Sequence, residues 1–144
     1  MSLETPYDET NIFAKIVSGD MPSIKLYESD KVLSFMDVFP QSEGHCLVIH
    51  KTQRATNLLD IEQDALSDII KSVQTVAKAV KEALAPDGIK IIQFNGAPAG
   101  QTVFHLHFHI IPIYENAPLA PHHDGGPLSA DDLEPIAEKI RAAL

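Results

Sequence analysis

Apolar residues along the chain recur at helical spacing in three segments. Residues 11–18 show this spacing and are followed by Gly19, which predicts a short helix closed by a glycine cap. Residues 61–84 place apolar positions three and four apart with charged residues between them, which predicts one long amphipathic helix. A last amphipathic segment, residues 131–144, predicts a C-terminal helix.

Short apolar or alternating runs between these segments predict strands. They lie at residues 24–28, 32–36, 46–49, 89–94 and 103–111, separated by turn-forming residues. The order is strand, strand, strand, long helix, strand, strand, helix. This order predicts an α+β fold with a five-stranded, mainly antiparallel sheet.

The length of 144 residues fits a single domain. Residues 1–10 are polar and acidic and are interpreted as a loose N-terminal arm, and residues 11–144 as one domain. Within that domain, residues 114–130 are rich in proline and glycine, which predicts an irregular segment before the terminal helix.

Charge and cysteine content narrow the classes of partner. The formal net charge of −9 disfavours nucleic acids and anionic membranes, because both require a basic surface. Cys46 is the single cysteine, so no disulfide forms within the chain. No leader-like or membrane-spanning apolar run is visible, and we expect a cytoplasmic protein that binds small molecules.

The segment 101–111 carries the most informative pattern. His105, His107 and His109 alternate with apolar residues, so a strand would place the three imidazoles on one face. This row is a poor fit to histidines that have no functional role, because an unpaired imidazole is costly to bury.

Zinc binding is one interpretation of the row. At ~3.3 Å per residue the outer two α-carbons lie roughly 13 Å apart, so three rings on one regular strand do not converge on a metal ion. Two rings would need further ligands from elsewhere. The remaining histidines are His45, His50, His122 and His123, of which we expect the last three to lie on the surface. A metal-dependent hydrolase therefore remains an open alternative.

Nucleophilic catalysis by one of these histidines requires fewer assumptions than zinc binding does. A neutral imidazole attacks phosphorus near pH 7 when one ring nitrogen is held as a donor, and His107 is central in the row. The preceding loop, residues 95–102, would offer backbone N–H groups to phosphate oxygens. Residues 95–112 contain no Lys or Arg, which favours a phosphate of about one negative charge over a polyphosphate.

The sequence resembles the histidine-triad (HIT) superfamily in this motif and in several further pieces, and is similar to its HinT-like branch of nucleoside phosphoramidases. The pieces, in order, are Asn11-Ile12-Phe13, Phe35-Met36-Asp37-Val38, Gly44-His45-Cys46-Leu47-Val48-Ile49, Asn95, Gly100-Gln101-Thr102 and His105-Leu106-His107-Phe108-His109-Ile110-Ile111. The resemblance covers most of residues 11–113. It implies a HIT-like fold whose sheet continues across a homodimer.

The resemblance also implies a role for each matching residue. His107 would be the nucleophile that forms a nucleotidyl-histidine intermediate, and Thr102 would serve the leaving group. The supporting histidines would be His45, His105 and His109. Asp37 would bind the ribose hydroxyls. The phosphate side would be lined by Asn95, Gly100, Gln101, Thr102 and Val103, and the purine pocket by Ile12, Phe13, Ile16, Phe35 and Val38.

Departures from the family pattern refine these expectations. Some members bind a structural zinc at four positions that here hold Asn11, Ala14, Gln53 and His105, so we expect no structural zinc and no required cofactor. Ile113 stands where a basic residue is frequent, which argues against dinucleoside polyphosphate hydrolysis. The expected activity is release of AMP or GMP from a nucleoside 5'-phosphoramidate or related substrate. The alternatives are a non-catalytic nucleotide-binding regulator and a dinucleoside polyphosphate hydrolase.

Overall fold

The computed structural model describes residues 2–120 and 126–144, which form one five-stranded sheet and three α-helices. In chain order the elements are α1 Ile12–Ser18, β1 Lys25–Glu28, β2 Val32–Met36, β3 Cys46–His50, α2 Gln63–Leu84, β4 Gly88–Ile92, β5 His107–Ile113 and α3 Ala130–Ala143. The sheet order is β1-β2-β3-β5-β4, and every neighbouring pair is antiparallel. The predicted α+β class and antiparallel sheet are confirmed.

The short helix α1 has a defined cap at each end. The Asn11 side chain accepts a hydrogen bond from the Ala14 amide at 2.9 Å, which satisfies one of the unpaired N–H groups of the first turn. At the other end Gly19 has a φ of +88°, a conformation that favours glycine, and its N–H bonds the Ile16 carbonyl. These caps fix a seven-residue helix beside the sheet.

Helices α2 and α3 cover one face of the sheet. Alternate residues of the central strands, such as Val48 on β3 and Ile110 on β5, point to this side and are fully buried. They pack against Ile69, Val76 and Val80 of α2, whose spacing places them on one helix face. No helix among residues 2–120 and 126–144 is long and apolar enough to cross a membrane.

The opposite face carries a smaller apolar cluster under α1. Its buried members are Phe13, Ile16, Leu33, Phe35, Leu47 and Ile49. This cluster covers the β2 and β3 part of the face. His107 and His109 continue the same face on β5, because they pair with Ile49 and Leu47 across the sheet.

The last strand begins later than the sequence predicts. Residues 103–106 are not part of β5, because the Leu106 N–H bonds the Ala55 carbonyl in the loop after β3. The ladder between β3 and β5 stops at the Ile49–His107 pair, one residue before β3 ends. His105 therefore lies in a bend rather than in a regular strand.

The N-terminal arm makes specific contacts with the domain. The Leu3 carbonyl accepts a hydrogen bond from the Asn57 side chain at 3.1 Å, and the Tyr7 hydroxyl bonds His105 at 2.7 Å. Leu3 also lies against the buried Gly96, whose φ is +87°. These contacts tie residues 3–7 to the loops that precede β5.

Candidate functional site

His107 is held in a single tautomer by the chain immediately before it. Its Nδ1 lies 2.7 Å from the His105 carbonyl oxygen, which can only accept a hydrogen bond. Nδ1 therefore carries a proton, and in the neutral form of the ring Nε2 has the lone pair. The ring is 6% exposed and meets Phe13 edge to face at a centroid distance of 4.9 Å. The hydrogen bond and the ring contact fix the orientation of the imidazole.

A relay of two further histidines lies beside it. The Gln41 amide donates to Nδ1 of His45 at 3.0 Å, so the proton of His45 resides on Nε2. That Nε2 lies 2.9 Å from Nδ1 of His109 and donates to it. The proton of His109 is consequently on its Nε2. The ring centroids of His107 and His109 are 5.0 Å apart, and both residues line the same two cavities.

Asp37 lies at the end of β2 and is 5% exposed. One carboxylate oxygen accepts the Phe39 amide at 2.8 Å, and the other lies 3.4 Å from Nε2 of His45. Nε2 of His45 lies closer to Nδ1 of His109, at 2.9 Å, a normal hydrogen-bond distance. Asp37 thus places a carboxyl group beside the relay.

Two cavities meet at the histidines. The larger has a volume of 540 Å³ and is mostly apolar, with His107, His109 and Thr102 in its wall. The smaller has a volume of 320 Å³ and shares those three residues. The other predicted residues that line the larger cavity are Ile12, Phe13, Ile16, Phe35, Asp37, Val38 and Val103. Gly100 lines the smaller cavity. A molecule bound across both would place its middle at His107.

His105 departs from the predicted row of three rings. Its Nδ1 accepts from the Tyr7 hydroxyl at 2.7 Å, and its Nε2 donates to the His50 carbonyl at 3.0 Å. The ring lines neither cavity, because the bend before β5 turns it toward the N-terminal arm. Burial lowers the pKa of His105 to about 4, and the nearby His107 adds to this effect. His105 acts on the site through its carbonyl.

Gln101 and Asn95 were also expected at the phosphate, and each bonds protein atoms instead. Gln101 is 3% exposed; its carboxamide accepts from the Gly96 amide at 2.8 Å and donates to the Thr56 carbonyl at 2.6 Å. The Asn95 side-chain oxygen accepts from the Leu58 amide at 2.9 Å. Neither residue lines either of the two cavities at the histidines. Both hold the loop that precedes the histidines.

His50 was expected on the surface, and this prediction is wrong. It is 4% exposed, and its Nδ1 accepts backbone amides from Thr52 and Gln53. Burial lowers its pKa, an effect that Asp68 partly opposes. His122 and His123 lie outside the described residues.

Several residues at the site were not predicted as site residues from the sequence. Tyr7 belongs to the arm, and Lys90 and Phe94 line the smaller cavity beside His109. The larger cavity is completed by Met21, Pro22, Ser23, Met36, Phe39, Leu47 and Pro127. These positions become neighbours only when the strands pair and the loops close.

A metal ion fits the buried cluster poorly. Asp37, His45 and His109 offer ligand atoms within 4.8 Å of one another, which is a possible metal set among the described residues. However, the Gln41 amide donates to one ring nitrogen of His45, and the other nitrogen must then carry a proton. A protonated nitrogen does not coordinate a metal. The donor set is better suited to the hydrogen-bond relay.

Comparison with known proteins identifies the family. The family model of the HIT domain matches residues 18–116. A Schizosaccharomyces pombe relative named adenosine 5'-monophosphoramidase is 37% identical over 134 residues, which cover 92% of this chain and 97% of the relative.

Two solved structures extend the likeness to the fold. A HIT-like protein from Bartonella henselae, described as involved in cell-cycle regulation, has a TM-score of 0.88 and 49% identity, with coverage of 96% of this chain and 99% of that one. A histidine triad nucleotide-binding protein from Candida albicans has a TM-score of 0.70 and 35% identity, with coverage of 92% and 96%. By its sequence, its five-stranded sheet and its histidine motif, this chain belongs to the HIT family.

Proposed function

We propose that this protein is a hydrolase or transferase that cleaves purine nucleoside 5'-phosphoramidates, or related nucleotide-linked substrates, through a nucleotidyl intermediate on His107. One observation carries the proposal: the 2.7 Å hydrogen bond from Nδ1 of His107 to the His105 carbonyl makes Nε2 the nucleophilic nitrogen. The names of the S. pombe phosphoramidase and the C. albicans nucleotide-binding protein support the substrate class.

The proposed reaction has two displacements at one phosphorus. Nε2 of His107 forms a bond to the α-phosphorus, while the bond from phosphorus to the leaving amine breaks. The amine takes a proton from the Thr102 hydroxyl or from His109, and His109 also donates to the phosphate oxygens as charge develops on them. Water then attacks the same phosphorus, restores the proton and releases AMP or GMP, which leaves His107 neutral.

The nucleoside occupies the larger cavity in this proposal. A volume of 540 Å³ lined mainly by apolar side chains suits a flat heterocycle, and Phe13 and Phe35 offer aromatic surfaces. Asp37 lines the same cavity and has the acceptor oxygens that ribose hydroxyls require. Gln101 and Asn95 serve as supports of the phosphate loop rather than as substrate contacts.

Catalysis is proposed to need no metal or other cofactor, and the domain to hold no structural zinc. Both ring nitrogens of His105 are engaged, by Tyr7 and by the His50 carbonyl, so this ring would have to break a hydrogen bond to bind zinc. The fixed tautomer of His45 supports the same conclusion for the buried relay.

A homodimer is also proposed, with the sheet continued through β4. In the described part of the chain β4 is an edge strand, and an unpaired edge readily accepts another strand. Ile91 on β4 is 44% exposed, which supplies apolar surface on this edge strand. Sedimentation equilibrium tests this part: a monomer at micromolar concentration would contradict it.

The activity is tested with a fluorogenic adenosine phosphoramidate. We expect turnover by the wild type with or without chelator, none by His107→Ala, and a nucleotidyl adduct on His107 by mass spectrometry after rapid quenching. Retained turnover by His107→Ala would refute the nucleophile, and loss in chelator would favour the metal-dependent alternative. If the wild type and His107→Ala bind AMP equally well and neither turns over the substrate, the protein is a non-catalytic nucleotide-binding regulator.

A further inference from the structure

The smaller cavity combines one cation with an apolar wall. Of the residues that line the two cavities, Lys90 is the only Lys or Arg. No carboxylate among residues 2–120 and 126–144 forms an ion pair with it. The neighbouring surface is provided by Ile92, Phe94 and Ile111. A site for a protonated amine would require a carboxylate in the wall, and no acidic side chain lines the smaller cavity.

Strand register fixes the order of these residues along the sheet. Ile92 pairs with His109 and Lys90 pairs with Ile111, so all four side chains lie on one face of the sheet. The positions are two residues apart, which corresponds to about 7 Å along the strand. Moving away from His107, a bound molecule meets His109 and Ile92 first and Lys90 after them. Lys90 therefore lies one two-residue step further from His107 than Ile92 does.

The two cavities differ in charge as well as in size. Asp37 is the only carboxylate in either wall and belongs to the larger cavity, whereas Lys90 belongs to the smaller one. The nucleoside is assigned to the larger cavity, so the group that leaves phosphorus on the far side of His107 enters the smaller one. Phe94 meets His109 edge to face at 5.7 Å and provides an aromatic wall for that group.

We propose that the smaller cavity selects leaving groups with a flat apolar body and an anionic group at the far end, and that Lys90 is the residue that recognises this anion. The inference rests on the proposed phosphoramidase function and specifies its leaving group. A single exposed cation in an apolar wall suits a carboxylate and provides too little charge for a polyphosphate. The net charge of −9 repels anions from the molecule as a whole, so any preference must arise locally.

A matched pair of substrates tests the proposal. Both are adenosine 5'-phosphoramidates of a phenethylamine; one carries a para carboxylate and the other a para methyl group. The measured quantity is the ratio of kcat/KM for the carboxylate over the methyl substrate, from AMP release. This ratio cancels effects of a substitution on the chemical step that the two substrates share.

Three variants separate a local contact from a general charge effect. Lys90→Met is expected to lower the ratio about fivefold, the upper range for an exposed ion pair. Lys90→Glu is expected to lower it by roughly tenfold or more, because repulsion replaces attraction. Lys139→Met, on α3 at the other face of the sheet, makes the same change in net charge as Lys90→Met and should leave the ratio unchanged. Added salt should reduce the wild-type ratio toward that of Lys90→Met.

The possible failures are distinct. Turnover of both substrates with a ratio that neither Lys90 variant changes would refute the role of Lys90 and leave the proposed activity intact. An equal shift in Lys139→Met would show that net charge, not the cavity, sets the preference, and would also refute it. Absence of turnover of either substrate by the wild type would refute the phosphoramidase proposal, and the leaving-group inference with it.

Discussion

Replacement of Gln101 by alanine is expected to destabilise the protein while leaving its affinity for substrate almost unchanged. The carboxamide accepts from the Gly96 amide at 2.8 Å and donates to the carbonyls of Thr56 and Val103 at 2.6 and 3.1 Å. It thereby joins the loop after β3 to the loop before β5. Alanine removes all three hydrogen bonds and supplies no replacement.

The size of the destabilisation follows from the polar groups that lose their hydrogen-bond partners in Gln101→Ala. A buried donor or acceptor that loses its partner costs about 1–3 kcal/mol. The Val103 residue is only half-buried and regains water, so we expect a total loss of about 3 kcal/mol rather than the full sum of three such costs. For a domain of this size that corresponds to a decrease in Tm of about 10 °C.

Urea unfolding and steady-state kinetics together distinguish the two roles of Gln101. The structure predicts a lower midpoint for Gln101→Ala and a wild-type KM measured under conditions where the variant is folded. The exposed neighbour provides the matched control: Thr102→Ala should unfold within about 0.5 kcal/mol of the wild type but turn over more slowly. A fully stable Gln101→Ala with a raised KM would refute this reasoning and return Gln101 to the substrate site.

Three further predictions concern the histidines. Burial lowers the pKa of His105 from 6.5 to about 4, so as pH falls the unfolded chain becomes protonated at this residue before the folded protein does. Up to about 3 kcal/mol of the free energy of unfolding should therefore be lost between pH 6.5 and pH 4. Urea unfolding of His105→Gln over the same pH range should lack this loss. Tyr7→Phe removes the 2.7 Å hydrogen bond to His105 and should reduce kcat severalfold. It should also change the NMR signal of the His105 ring nitrogens, and an unaltered signal would contradict the contact. His45→Ala removes the donor that fixes the tautomer of His109 and should lower kcat about tenfold, equivalent to about 1.4 kcal/mol, in stopped-flow or steady-state assays; an unchanged kcat would show that the relay is dispensable.

The sequence by itself determined most of the helices and strands and singled out His107 as the central histidine of the row. Helical spacing located α1 and α2, a glycine ended α1, and strand alternation placed His107 and His109 on one face. These features depend on residues within a few positions of one another. The predicted length of β5 was wrong for the same reason, since its start depends on the Leu106 amide, which bonds Ala55 in a distant loop.

Tertiary structure decided how the site is completed. The hydrogen bond from His45 to His109 exists because the antiparallel sheet places β3 beside β5, and the contact from Tyr7 to His105 joins opposite parts of the chain. Lys90 reaches the smaller cavity through the register of β4 on β5. No local pattern encodes such contacts, because burial and distance between remote side chains are fixed only when the strands pair and the loops close.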